Sequence, residues 1–242
     1  MSVGIGVDGC RGGWLIVQFD GQQAHTQLVP AIAELRSSCP LDTAVWIDMP
    51  IGLLGKDTEG RPCDRLARRI LSPLRHSSVF TPPCRAAVYA PKEEASLVNY
   101  QHTGKKLSRQ SLNILPKIRE LDLYLQAQNT SEQNRWHEAH PEVVFAAFNG
   151  LRPLRHSKKT TLGQTQRSLL LKPYFSNISL WFTATRASFP AASVATDDLY
   201  DALALAIGSY LTQGARAEWV SLPEAPPLDD TGLPMKIVYA QV

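Results

Sequence analysis

Four aspartates are placed where a chain can use them together. Asp8 ends the short branched run VGIGVD (3–8) and is followed by the glycine-rich turn GCRGG. Asp48 closes a second apolar run, TAVWIDMP (43–50). Asp198 and Asp201 lie three residues apart in TDDLYDALALAIGSYLTQG (196–214), so on a helix they share one face. Two strand ends and one helix start would then offer four carboxylates, a donor set that suits hard Mg²⁺ or Mn²⁺. Like charges this close are tolerated only with cations between them. Two such ions, roughly 4 Å apart, activate water and stabilise the leaving oxygen of a phosphodiester. Each acid also has a plainer reading: Asp8 as a turn former, Asp48 as a strand end, Asp197 or Asp198 as a helix cap. Asp201 has none, because it sits a turn inside an apolar helix.

Other residues offer supporting chemistry. EAHPE (138–142) supplies His140 as a proton carrier or phosphate ligand and Glu142 as a further acid. The same residues also suit a helix start, with Pro141 in the first turn and Glu142 facing the dipole. SSVFTPPCR (77–85) is a stiff polar loop that can gate a site or hold a phosphate through Arg85, or simply connect helices. Arg11, Arg85, Lys105 and Lys117 are the candidate substrate-binding side chains, and Gln110 is a comparable case.

The elements that must position these residues follow from pattern. Residues 3–8, 14–19 and 24–29 read as three antiparallel strands, the second pair joined at Asp20-Gly21. Residues 30–38 read as a helix, and 43–50 as a buried strand. From about 56 to 134 the spacing is helical, a long insert for a simple connection. A short strand, a break at Pro141 and a helix ending at Gly150 come next, then a mixed, mostly helical stretch over 160–189. Helix 196–214 is capped by Thr196 or Asp197 and ends at Gly214. EWVSLP and MKIVYA are late strands.

Composition bounds the rest. A chain of 242 residues, 44% hydrophobic and 19% charged, fits a single folded domain over 1–242. It has no apolar run of about eighteen residues, so no membrane span is expected. Its start reads as a strand and not a signal peptide, which makes a cytoplasmic location the expectation. Cys10, Cys39, Cys63 and Cys84 form no CxxC pair and read as free thiols. The net charge of +3 says little, but basic residues cluster at 61–85, 105–109 and 152–167, as solvated helix faces or as phosphate contacts around the acids. Nucleotide-binding P-loop, serine-nucleophile and zinc-protease motifs are absent.

An early strand Asp, two more antiparallel strands, a fourth strand ending in Asp and a late DxxDALALAI helix resemble the ribonuclease H-like superfamily. The late helix is similar to that of RuvC-type Holliday junction resolvases. More closely, the chain resembles the bacterial family called domain of unknown function 429, whose members are labelled predicted nucleases. The matching segments are GVDGCRGGW (6–14), IDMPIGL (47–53), the basic run at 61–71, SSVFTPPCRAAVYA (77–90), TGKKLSRQ (103–110), PKIRELD (116–122), EAHPEVVF (138–145), KKT (158–160) and DDLYDALALA (197–206). The resemblance implies an α/β fold with a mixed five-stranded sheet flanked by helices. It also implies Asp8, Asp48, Asp198 and Asp201 as ligands of Mg²⁺ or Mn²⁺. Resolvases usually carry Glu where this chain has Asp48, a shorter arm.

Three functions compete: a metal-dependent nuclease or phosphodiester hydrolase, an actin- or sugar-kinase-like phosphotransferase, and a non-catalytic scaffold. Kinases of that type usually need two copies of the fold. A scaffold would show aspartates pointing apart or paired with Arg and Lys. The sequence leaves open DNA against RNA as partner, and the oligomeric state, a homodimer included.

Overall fold

Residues 4–29 fold as the antiparallel meander that their alternation and turn residues dictate. In the computed structural model, which describes residues 2–35, 39–40 and 42–242, strand β1 (Gly4–Cys10) pairs with β2 (Gly13–Phe19), and β2 with β3 (Ala24–Val29). The second turn is set by Asp20, whose Oδ1 accepts from the backbone N–H groups of Gln22 and Gln23, and by Gly21 at φ +98°. β4 (Val45–Asp48) then lies parallel to β1, and β5 (Trp136–Glu138) parallel to β4. The order β3-β2-β1-β4-β5 is a mixed five-stranded sheet of ribonuclease H-like type.

Helices flank this sheet, nine of them among the described residues. Between β4 and β5 come α1 (Pro62–Ile70), α2 (Arg85–Tyr89), α3 (Ala95–Thr103), α4 (Arg109–Gln126) and α5 (Thr130–Gln133). After β5 come α6 (Pro141–Phe148), α7 (Thr161–Leu171), α8 (Ile178–Ser188) and α9 (Thr196–Gln213). The late strands β6 (Glu218–Leu222) and β7 (Ile237–Gln241) pair only with each other. Among the described residues no helix is long and apolar enough to cross a membrane.

The sheet divides two cores. Ile5, Val7, Trp14, Ile16, Val45 and Ile47 face α4 through Leu115, Ile118, Leu121 and Leu125. Leu15, Val17, Phe19 and Trp46 face the other way, toward α9 and α6. Strand β1 offers α9 no side chain at Gly4 or Gly6. A Cβ at Gly6 would lie 2.0 Å from the Ala202 carbonyl, and one at Gly4 2.0 Å from that of Ala206. The helix backbone therefore rests directly on the strand, a contact that only glycine permits.

Of the helix expected over 30–38, the described residues show a 3-10 turn at Ile32–Glu34 and a helical Leu35, and 36–38 lie outside them. One local expectation differs from the structure. At α9 neither Thr196 nor Asp197 is the cap. Ala195 holds that position, and Asp198 Oδ2 reaches back to accept its N–H at 2.7 Å. With Asp at the third helical position this bond satisfies one donor ahead of the first turn and suits the helix dipole.

Candidate functional site

Parallel pairing of β1 and β4 puts Asp8 directly across from Asp48, at the last residue of β4 and two residues before the end of β1. Ligands of open α/β sheets bind at this edge of the strands. The close seat of α9 on Gly4 and Gly6 brings Asp201 over the same point. Asp8, Asp48 and Asp201 each present a carboxylate oxygen within 4.8 Å of the others. Asp8 is 7% exposed and Asp201 1%. Asp198 stands beside this set but commits one oxygen to the helix cap. The shorter arm of Asp48 suffices because its strand ends in register with Asp8.

Burial pushes the Asp8 carboxyl well above the usual carboxylate range, with Asp48, Asp201 and Asp198 adding to the shift. Asp48 is pushed up to about 6, chiefly by burial, against the opposing pull of His140 and Lys158. Burial and mutual repulsion together thus make a negative charge at this cluster costly without a counter-charge. Lys158 supplies the one direct counter-charge to Asp201 among the described residues, its Nζ 2.5 Å from Asp201 Oδ2 and 3.5 Å from Asp197 Oδ2. Burial would lower the Lys158 pKa, but Asp201, Asp8 and Asp48 hold it well above the usual lysine value. Lys159 pairs with Asp197 at 2.7 Å.

The residues present fit a hard cation. The donors are all oxygens, and Asp201 Oδ1 is buried with no hydrogen-bond partner among the described residues. Glu142 Oε2 is left in the same condition, while its other oxygen takes a bond from Arg167.

A cleft of about 520 Å³ opens over Asp48, with His140, Glu142, Ser157, Lys158, Lys159, Ser77, Ser78 and Phe80 in its walls. His140 is the N-cap of α6, and its Nδ1 accepts from the Glu142 N–H at 3.2 Å. That fixes the proton on Nε2, which faces the Ser78 carbonyl at 3.3 Å. The EAHPE segment therefore serves as helix start and cleft wall at once. The loop 76–80 is held by Arg68, which donates to the Val79 carbonyl and the Thr81 hydroxyl.

Other candidates fall elsewhere. Arg85 is tied to Asp122, Asp229 and Thr231, joining the loop after β6 to α4. Lys117 donates to the Gly13 carbonyl at 2.6 Å and lies over the Trp14 ring, so it supports the β1–β2 turn from below. Arg11 is exposed on that turn, and Lys105 is exposed near Gly60, outside the cleft wall. Glu138 is held by Arg61, which also binds Asp64 and the carbonyls of Ile51 and Gly52. Arg61 and Arg167, both in the basic clusters, are 1% and 0% exposed and serve buried carboxylates. Lys158 is the site residue least visible in the sequence; only its place in KKT, ahead of the α7 N-cap Thr160, marks it.

No curated protein and no solved structure matches the chain. The model of one family does, DUF429, described as proteins of unknown function, over residues 6–226. That span holds the three converging aspartates, the cleft and the main sheet apart from the first two residues of β1, and the chain belongs to this family.

Proposed function

We propose that the protein is a divalent-metal-dependent phosphodiester hydrolase, a nuclease, with Asp8, Asp48 and Asp201 as the cation ligands. The observation that carries this reading is the convergence of three carboxylate oxygens within 4.8 Å, one of them, that of Asp48, lining a polar cleft. A bound Mg²⁺ or Mn²⁺ would supply activated water and charge stabilisation for the departing oxygen. The chain's own groups do the rest. Lys158 and Lys159 place positive charge at the cleft wall, where a phosphate enters. His140 keeps a proton on Nε2 at that wall, within reach of the cleft. Asp198 fixes the first turn of α9 and so the position of Asp201.

A second reading has one observation in its favour. The Lys158–Asp201 pair is what a non-catalytic protein would use to neutralise a buried acid. Calorimetric titration with Mn²⁺ separates the two. The parent protein should bind Mn²⁺, and Asp8→Asn and Asp201→Asn should each abolish binding. Asp8→Asn should also fold at least as stably as the parent without metal, because it removes a repelled charge. Absence of Mn²⁺ binding in the parent would sink the hydrolase in favour of the scaffold.

A further inference from the structure

The cleft over the carboxylates does not end at its own walls. A second cavity, of about 390 Å³, adjoins it and shares Ser77, Phe80 and Gln110 as lining residues. Phe80 also borders a small recess beside Met49 and Arg61. Its ring makes no ring–ring contact among the described residues and stays partly exposed at the junction. A partly exposed aromatic ring between two polar cavities, with no ring partner of its own, is well placed to receive a flat partner.

The charges along this groove point to an anion that is also a chain. At the far end Arg68 donates only to neutral groups, the Val79 carbonyl and the Thr81 hydroxyl. Arg75, in the cleft wall, donates to the carbonyls of Leu154 and Arg155. Such bonds hold each guanidinium in place without cancelling its charge. The groove therefore runs from the acid cluster and Lys158, past an aromatic platform, to a second fixed positive charge.

We propose that this groove binds a single-stranded nucleic acid, with the unpaired base next to the scissile phosphodiester stacked on Phe80 and a flanking phosphate toward Arg68. The proposal rests on the phosphodiester reading and names its substrate class. The recess favours a single strand over a duplex. Asp48 lines the cleft together with Ser77, Ser78 and Phe80 of the loop and the Ser157–Lys159 segment, and its partners Asp8 and Asp201 are buried, 7% and 1% exposed. A duplex must unpair and flip a base, at a cost in pairing and stacking energy, to present it to this ring, whereas a single strand presents one without that cost.

The test uses Asp8→Asn protein in EDTA, which cannot cleave and meets the phosphates with one charge fewer. Fluorescence anisotropy would follow fluorescein-labelled ten-residue oligoadenylates, one DNA and one RNA, against a duplex of the same length. Single strands should bind at least tenfold more tightly than the duplex. Adding Phe80→Ala should weaken strand binding about tenfold, the usual effect of losing one stacked base, while Phe80→Trp keeps it. Gln110→Glu changes an exposed side chain and should weaken it by repelling phosphate. Equal binding of duplex and strand, or indifference to both Phe80→Ala and Gln110→Glu, would overturn the proposal. Failure of the hydrolase reading looks different: strands bind through Phe80, yet the parent binds no Mn²⁺. Conversely, Mn²⁺-dependent cleavage of duplex that ignores Phe80→Ala removes the single-strand proposal and leaves the hydrolase standing.

Discussion

Lys158 occupies, with one ammonium, the place where a cation's charge is needed. Its Nζ lies between Asp201 and Asp197, and the side chain as a whole is about a third exposed. A metal ion entering the cluster must compete with that charge. Lys158→Met should therefore tighten Mn²⁺ binding roughly tenfold, since a like charge a few ångströms away costs on the order of 1 kcal/mol when partly solvated. The same change strands Asp201 without its partner. Removing one member of a fully buried pair costs about 3–5 kcal/mol, and partial exposure here reduces that to roughly 2 kcal/mol of stability in EDTA. Mn²⁺ should restore the loss, as read by urea denaturation with and without metal; an unchanged Mn²⁺ affinity would show that Lys158 does not share the cation's position. The three converging aspartates were legible because strand ends and a DxxD helix are local patterns. Lys158, Arg61 and Arg167 were not, because a basic run looks alike whether its members are solvated or buried against acids. Only the fold pairs Arg61 with Glu138, 77 residues away.

The contact of β1 with α9 is the element-scale device that makes the site. Glycine alternates with Ile5 and Val7 along β1, so one strand face packs on α4 while the other is bare for the helix. Gly6→Ala would place its Cβ 2.0 Å from the Ala202 carbonyl and 2.4 Å from the Ala206 N–H nitrogen. Neither can yield without moving α9, and such overpacking costs about 1–3 kcal/mol. Gly4→Ala meets Ala206 and Tyr210, one turn further from Asp201. Both variants should lose similar stability in denaturant. Gly6→Ala should lose much more Mn²⁺ affinity, because the shift falls beside Asp201; equal affinities would mean that α9 does not set the site. The meander and α9 were readable from periodicity and turn residues. The capping of α9 was not, since Thr196, Asp197 and Asp198 all suit an N-cap by type, whereas Ala195 holds that position and Asp198 bonds back to it from the third helical residue. The two late strands were also legible, but not their separation from the main sheet, to which Trp219 joins them only through side chains, packing across Trp46 and His137.

That packing links the two sheets and gives the whole molecule a pH response that can be isolated. His137 sits on β5 opposite Trp46, edge-on to Trp219 at 4.7 Å between ring centres, and its Nδ1 is buried without a hydrogen-bond partner among the described residues. Burial lowers its pKa to about 3, with Lys236 adding to the effect. An unfolded histidine titrates near 6.5. Between those values the unfolded chain holds the extra proton, so stability falls as pH drops below about 6.5, by up to about 1.4 kcal/mol per unit. The raised carboxyls of Asp8 and Asp48 act oppositely: the folded state holds their protons, and their contribution is lost as pH rises. The parent alone therefore mixes the two. His137→Phe keeps a ring against Trp219 and removes only the histidine, so the difference between parent and variant isolates it. From pH 7 to pH 5 the variant should gain about 2 kcal/mol relative to the parent in urea denaturation. A difference independent of pH would mean that His137 is solvated in the folded chain, and that the β6–β7 hairpin does not close over the sheet edge in solution.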